Sequence, residues 1–257
     1  MTLEVREYGG GGPWVVLLHG GPGAPGTMAP VACELASGYR VLEPIQRRSG
    51  EGSPLTVHRH VEDLQEVVET RCGASRPAVV GHSWGAMLAL AWAAAHPGRA
   101  ASIALVACGS FDRRDRGRIA ATRRRRGWVP PPPLPPGASD ARRDRRLEEV
   151  GRELLRVDAH ELASVEDGML WADARGHNET WGDMLRLQAE GVLPAAFAAV
   201  RAPVVMIHGE DDPHPGERIR TSLAAVLPGL EYHALPRCGH YPWLERRARE
   251  PFFALLR

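Results

Sequence analysis

The chain alternates between short, mostly apolar runs and longer stretches in which apolar residues recur every three or four positions. The short runs are Trp14–Leu18, Tyr39–Leu42, Ala78–Val80, Ser102–Val106 and Pro203–Ile207. Leu230–Leu235 is a weaker member, and Leu3–Glu7 is a single strand signal ahead of them. Runs that lack an outward polar face suit a parallel sheet covered by helices on both sides. Between them, Val57, Val61, Leu64 and Val68 share one helical face. Ala86–Ala95 is rich in alanine and leucine and stops at His96-Pro97. Pro215–Val226 and Pro242–Leu256 read as the last two helices, each opening near a proline. The alternation predicts an α/β fold with a mostly parallel sheet flanked by helices.

The rhythm breaks between about Asp112 and Val200. This stretch holds Arg123-Arg124-Arg125-Arg126, the proline-rich run Pro130–Pro136, and helical patterns at Arg142–Arg156 and Glu179–Gln188. It reads as a helical cap, residues 112–198, inserted into a core made of residues 1–111 and 199–257, with a stiff proline linker inside it. Its charge is segregated. Asp112–Arg146 carries 12 Arg against 4 Asp, and Leu147–Ala198 carries 4 Arg against 11 Asp and Glu, so the halves attract one another. The acidic half and the lack of interleaved aromatics argue against phosphate binding.

Composition narrows the field further. A chain of 257 residues suits one large core with an insertion. Formal net charge is +1, so no global field favours nucleic acid or an anionic membrane. The longest apolar stretches are about half a membrane span, and Met1–Tyr8 carries charges where a signal peptide needs an apolar run. The expectation is a cytoplasmic protein acting on a small molecule, with no nucleic-acid or membrane partner and its oligomeric state open. All 32 basic residues are arginine, which excludes a Schiff-base lysine and a P-loop lysine. Cys33, Cys72, Cys108 and Cys238 form no CxxC pair, which argues against a structural zinc site and fits a reducing compartment.

The candidate chemistry shares one address. His19, Glu43, Ser83, Asp211, Asp212 and His240 all sit just after apolar runs, and functional groups of open α/β sheets gather at the carboxyl ends of strands. Gly81-His82-Ser83-Trp84-Gly85 reads G-x-S-x-G between a strand and a helix, a tight turn that thrusts the serine outward at a helix N-terminus. His19-Gly20-Gly21-Pro22-Gly23 follows the neighbouring strand. The N–H groups of Gly21 and Trp84 are candidates for an oxyanion hole. Gly209-Glu210-Asp211-Asp212-Pro213 and Cys238-Gly239-His240-Tyr241-Pro242 complete the order Ser, Asp, His. His58, His60, His208 and His214 read as structural, with no second cluster to complete a metal site.

These motifs resemble the α/β-hydrolase superfamily over nearly the whole chain. His19–Gly23, Gly81–Gly85 and the ending Gly239-His240-Tyr241-Pro242-Trp243-Leu244-Glu245 resemble the proline iminopeptidase branch. The resemblance implies an α/β-hydrolase fold and a Ser83–His240–Asp212 triad, with Asp211 the fallback acid. It also implies Gly21 and Trp84 as oxyanion donors. No cofactor or metal is called for. That branch usually carries D-Q-R-G-S-G after the next strand; here Glu43-Pro44-Ile45-Gln46-Arg47-Arg48-Ser49-Gly50 departs from it. Iminopeptidases hold the substrate amine with acidic lid residues, which makes Glu179 and Asp173 candidates. Trp181 is a candidate for an apolar wall. The expected activity is cleavage of an ester or amide of a small substrate through an acyl-enzyme. The alternatives are an iminopeptidase-like aminopeptidase, a non-hydrolytic lyase, cyclase or transferase on the same fold, and a ligand-binding module.

Overall fold

A computed structural model describes residues 3–50, 52–166 and 168–257. Its strands are β1 (Val5–Tyr8), β2 (Trp14–Leu18), β3 (Arg40–Pro44), β4 (Ala78–His82), β5 (Ser102–Val106), β6 (Val204–Gly209) and β7 (Glu231–Leu235). They form one sheet in the order β1-β3-β2-β4-β5-β6-β7. Among the described residues of this sheet, only β1 is antiparallel to its neighbour; every other strand pairing is parallel. The sheet thus matches the mostly parallel architecture expected from the apolar runs.

Strand β2 shows how the two faces divide. Val16 and Leu18 pack into one core with Val57, Val61, Leu64 and Val68 of α2 (Val57–Cys72) and with α3 (Trp84–Ala95). Val15 and Leu17 pack into the other, with Val31 and Leu35 of α1 (Ala29–Leu35). This is the two-residue alternation of a strand buried on both sides. Helix α3 is buried all round from Trp84 to Ala93, which explains its lack of a polar face. Ile219 and Leu223 of α7 (Gly216–Ala224) join the first core, and Phe252 and Phe253 of α8 (Arg249–Leu256) join the second.

Between β5 and β6 the chain leaves the sheet and forms α4 (Arg113–Arg125), α5 (Asp140–Asp158), α6 (Ala174–Ala189) and a short 3-10 helix, Ala195–Ala199. The Arg123–Asp158 ion pair joins its basic half to its acidic half.

The expected helix Pro242–Leu256 is broken in two. A 3-10 turn, Pro242–Leu244, is followed by an extended Glu245 before α8 begins. The buried Glu245 carboxylate is the cause: it accepts from the backbone N–H groups of Gly239 (2.6 Å), His160 (3.0 Å) and Glu161 (3.2 Å), which anchors the chain there. Helix α4 escapes the periodicity argument because only Asp115 and Ile119 of it are buried. Among the described residues, no helix is long and apolar enough to cross a membrane.

Candidate active site

Strand β4 ends at His82 and α3 begins at Trp84, leaving Ser83 alone in the turn. Its φ of 53° and ψ of −111° are costly for a residue with a side chain, of order 1–3 kcal/mol. The surroundings enforce it. Ser83 N–H donates to Val106 O at 2.9 Å. A Cβ on Gly81 would overlap the Gly85 carbonyl, and one on Gly85 would overlap the Leu18 carbonyl, so the turn closes only with glycine at both places. The serine thereby lines a cavity of about 370 Å³ together with Gly21, Trp84 and His240.

The loops after β6 and β7 supply the acid and the base. His240 Nδ1–H donates to Asp212 Oδ2 at 2.6 Å, leaving the ring's Nε2 as its basic nitrogen. Asp211 does not meet His240; it lies nearer the surface and pairs with His160 at 2.9 Å. Asp212 holds a further ring. His214 donates to Asp212 Oδ1 from both its backbone N–H and its Nδ1, each at 2.8 Å. His208 Nε2 donates to the His214 carbonyl at 2.9 Å and lies 3.3 Å from Asp212 Oδ2. Burial pushes the Asp212 carboxyl up, but His240, His214 and His208 outweigh it and hold it well below the usual carboxylate range. Burial also lowers His214 and His208, so both are neutral donors near neutral pH. Asp212, His214 and His240 each offer one ligand atom within 4.8 Å of the others, so the cluster has the spacing to hold a metal ion, although both ring Nδ1 atoms are engaged with the carboxylate.

The base loop is fixed from two sides. His82 Nε2–H donates to the His240 carbonyl at 3.0 Å. His240 N–H donates to the carbonyl of Asp158, the last residue of α5, at 3.0 Å.

Gly21 has a φ of 112°, a conformation that favours glycine. The adjacent Pro22 carbonyl accepts from His177 Nδ1–H of α6 at 2.8 Å. Trp84 is held by its indole, whose Nε1–H donates to Gln46 Oε1 at 2.9 Å. His60 packs edge-on to that indole with centroids 5.7 Å apart and hydrogen-bonds Thr180 Oγ1 at 2.9 Å.

Of the three candidates for substrate binding, only Trp181 lines the cavity. Glu179 and Asp173 are engaged with the chain itself. Glu179 Oε2 accepts from Leu55 N–H at 2.9 Å and its Oε1 from Arg175 at 2.7 Å. Asp173 caps α6 through Gly176 N–H at 2.8 Å and accepts from Ser49 N–H at 2.6 Å and Ser49 Oγ–H at 2.8 Å. Asp183 of the same helix accepts from Val57 N–H at 2.8 Å. Three carboxylates of α6 and its cap thus pin Ser49, Leu55 and Val57 ahead of and at the start of α2. Glu43 is likewise structural: buried in β3, it accepts from Met28 N–H at 3.1 Å, Tyr8 Oη–H at 3.0 Å and Arg6 at 3.3 Å.

Residues 15–254 match the alpha/beta hydrolase family. The chain belongs to that family. It is 23% identical over its whole length to 2-hydroxy-6-oxononadienedioate/2-hydroxy-6-oxononatrienedioate hydrolase 2 of Pseudomonas putida, 90% of which is covered. It is 33% identical over 75% of its length to epoxide hydrolase B of Mycobacterium tuberculosis, 52% of which is covered. Solved structures with the same fold include a thermophilic esterase from Thermogutta terrifontis, with a TM-score of 0.65 at 21% identity, covering 99% of this chain and 92% of that one. The enol-lactonase of Burkholderia xenovorans has a TM-score of 0.65 at 21% identity, covering 99% and 94%. This alpha/beta hydrolase therefore shares its fold with hydrolases of several chemistries.

Proposed function

We propose that this alpha/beta hydrolase is a serine hydrolase that cleaves an ester of a small acyl substrate through an acyl-enzyme. The observation that carries the reading is Ser83 in its strained turn, lining one cavity with a His240 whose Nδ1 is tied to the buried Asp212.

The steps follow from that geometry. His240 Nε2 takes the proton of Ser83 Oγ as the oxygen attacks the substrate carbonyl carbon. Charge develops on the carbonyl oxygen, and the N–H groups of Gly21 and Trp84 stabilise it; one such donor is worth roughly 10²–10³ in rate. Asp212, ionised under the pull of its three histidines, stabilises the His240 imidazolium and fixes its tautomer. The imidazolium returns the proton to the leaving oxygen as the carbon–oxygen bond breaks. Water then repeats the sequence with His240 as base, releasing the acid and free Ser83. The segment between β5 and β6 acts as the lid over this chemistry, contributing Ile119, Leu154 and Trp181 to the cavity wall.

Ester cleavage is favoured over an aminopeptidase reading because Glu179 and Asp173, the carboxylates available to hold a substrate amine, are already satisfied by backbone N–H groups. The test is turnover of p-nitrophenyl butyrate and prolyl-β-naphthylamide by wild type and Ser83→Ala, with fluorophosphonate labelling of Ser83 read by peptide mass. Ester turnover and labelling that both vanish in a folded Ser83→Ala support the reading. Turnover that survives the substitution sinks it.

A further inference from the structure

Arg116, Ile119 and Arg123 lie three and four residues apart on α4, and all three line the cavity that holds Ser83. That spacing is one face of a helix. The two arginines on it are in different electrostatic states. Arg123 Nε donates to Asp158 Oδ1 at 2.9 Å, and Asp158 also lines the cavity, so this charge is neutralised within the wall. Arg116 has no carboxylate within ion-pair distance among the described residues. Its contact is with the Gln188 amide oxygen, 3.4 Å away at the limit of a hydrogen bond.

A guanidinium carries five N–H donors in a flat fork. One long contact to a neutral amide leaves most of them unpaired. Much of the cavity wall is apolar, including Met87, Ile119, Leu147, Val150 and Leu154. Half-burying a cation against such a surface costs free energy unless an anion returns it. With Arg123 and Asp158 cancelling, the charged side chains of the wall sum to the single positive charge of Arg116.

We infer that Arg116 receives an anionic group of the substrate, a carboxylate placed away from the scissile carbonyl, so that the enzyme acts on half-esters of dicarboxylic acids or esters of comparable charge. The inference rests on the serine-hydrolase reading for its reaction but not for its binding. Arginine suits the task because its fork meets both oxygens of a carboxylate at once. The same charge selects against neutral esters, which leave it without an anionic partner in the complex.

The experiment compares mono-p-nitrophenyl adipate with p-nitrophenyl hexanoate, which have equal acyl length and differ in the terminal carboxylate. Wild type is expected to favour the half-ester in kcat/KM by about ten- to a hundred-fold, the range of a charge-assisted pair. The preference shrinks as salt is added. In Arg116→Gln the ratio falls toward one, mainly through KM for the half-ester, and Arg116→Lys lies between. Circular dichroism and Tm establish that both variants are folded. A wild-type enzyme without the preference, or a preference that persists in Arg116→Gln, overturns the inference. If neither ester is turned over, the Ser83 mechanism fails, and calorimetric titration with adipate decides the binding question separately. Binding weakened about tenfold or more in Arg116→Gln upholds the inference; equal affinity, or no binding to wild type, overturns it.

Discussion

His214 lies face to face with His240, ring centroids 4.4 Å apart and planes tilted by 22°, while both rings donate to opposite oxygens of the Asp212 carboxylate. The base therefore shares its acid with a second imidazole. A neutral His214 donor draws charge from Asp212 and helps hold that carboxyl well below its usual range.

Replacing His214 tests this coupling. His214→Ala removes a ring donor and a stacked ring, leaving the Asp212 carboxylate held by one imidazole fewer. The acid limb of the kcat/KM profile is expected to move, because the carboxylate that partners the base has changed. His214→Asn, which keeps a donor, shifts it less. A profile identical to wild type in both variants would show that Asp212 is not shared in solution. Asp212→Asn, in contrast, lowers kcat by about three to four orders of magnitude, read with p-nitrophenyl butyrate.

Stability responds to acid through two histidines outside the reaction. Burial lowers His19 and His60 to about 4 from an ordinary value of 6.5. Between those pH values the unfolded chain binds more protons than the folded one, so stability rises with pH across the window and is full above it. Acidification from pH 6.5 toward 4 should cost on the order of 3 kcal/mol per group. Denaturant unfolding at a series of pH values measures it, and a flat curve over that window contradicts it. His60→Gln removes one of the two contributions.

The Glu245 carboxylate holds three backbone N–H groups, one of them Gly239 beside the base. Glu245→Ala strands those donors and is expected to cost about 2–4 kcal/mol, with kcat falling as the His240 loop loosens. Glu245→Gln retains an acceptor and loses less. Urea midpoints together with kcat distinguish a damaged loop from a globally weakened fold.

Glu179 and Asp173 offer a test of opposite outcome. Burial pushes the Asp173 carboxyl up, but the N–H groups of Gly176 and Ser49 outweigh it and leave it below its usual value, as expected of a structural acceptor. Asp173→Ala and Glu179→Ala should each lower stability by about 1–3 kcal/mol without selectively harming cleavage of substrates bearing a free amine. A selective loss on prolyl-β-naphthylamide would return both residues to the substrate.

What was legible in the sequence was what is local. The runs Trp14–Leu18 and Ser102–Val106 are strands with those same bounds, because a strand buried on both faces announces itself in five consecutive residues. Gly81–Gly85 carried its own turn, and the motifs at 19–23, 209–213 and 238–242 fall together at the strand ends because a parallel sheet puts them there. What was not legible depends on distant partners. Glu179 and Asp173 read as free lid acids, yet their acceptors are filled by Leu55 and Ser49, 124 residues away in each case. His214 read as structural because nothing in Asp212-Pro213-His214 says that the ring folds back onto the same carboxylate. A histidine two residues after the acid is the one signal that pointed to it. Arg116 was hidden among 12 arginines, and only the fold separates it and Arg123, which face the cavity, from the others.

The hydrogen bond from His240 N–H to the end of α5, next to the Arg123–Asp158 pair, has a practical corollary. Exchanging the segment between β5 and β6 for that of another hydrolase, to retarget the cavity, also exchanges part of the seat of the base. A chimera that omits Arg123 and Asp158 would be altered in chemistry as well as in selectivity, so a productive graft begins after Asp158 or carries both residues with it.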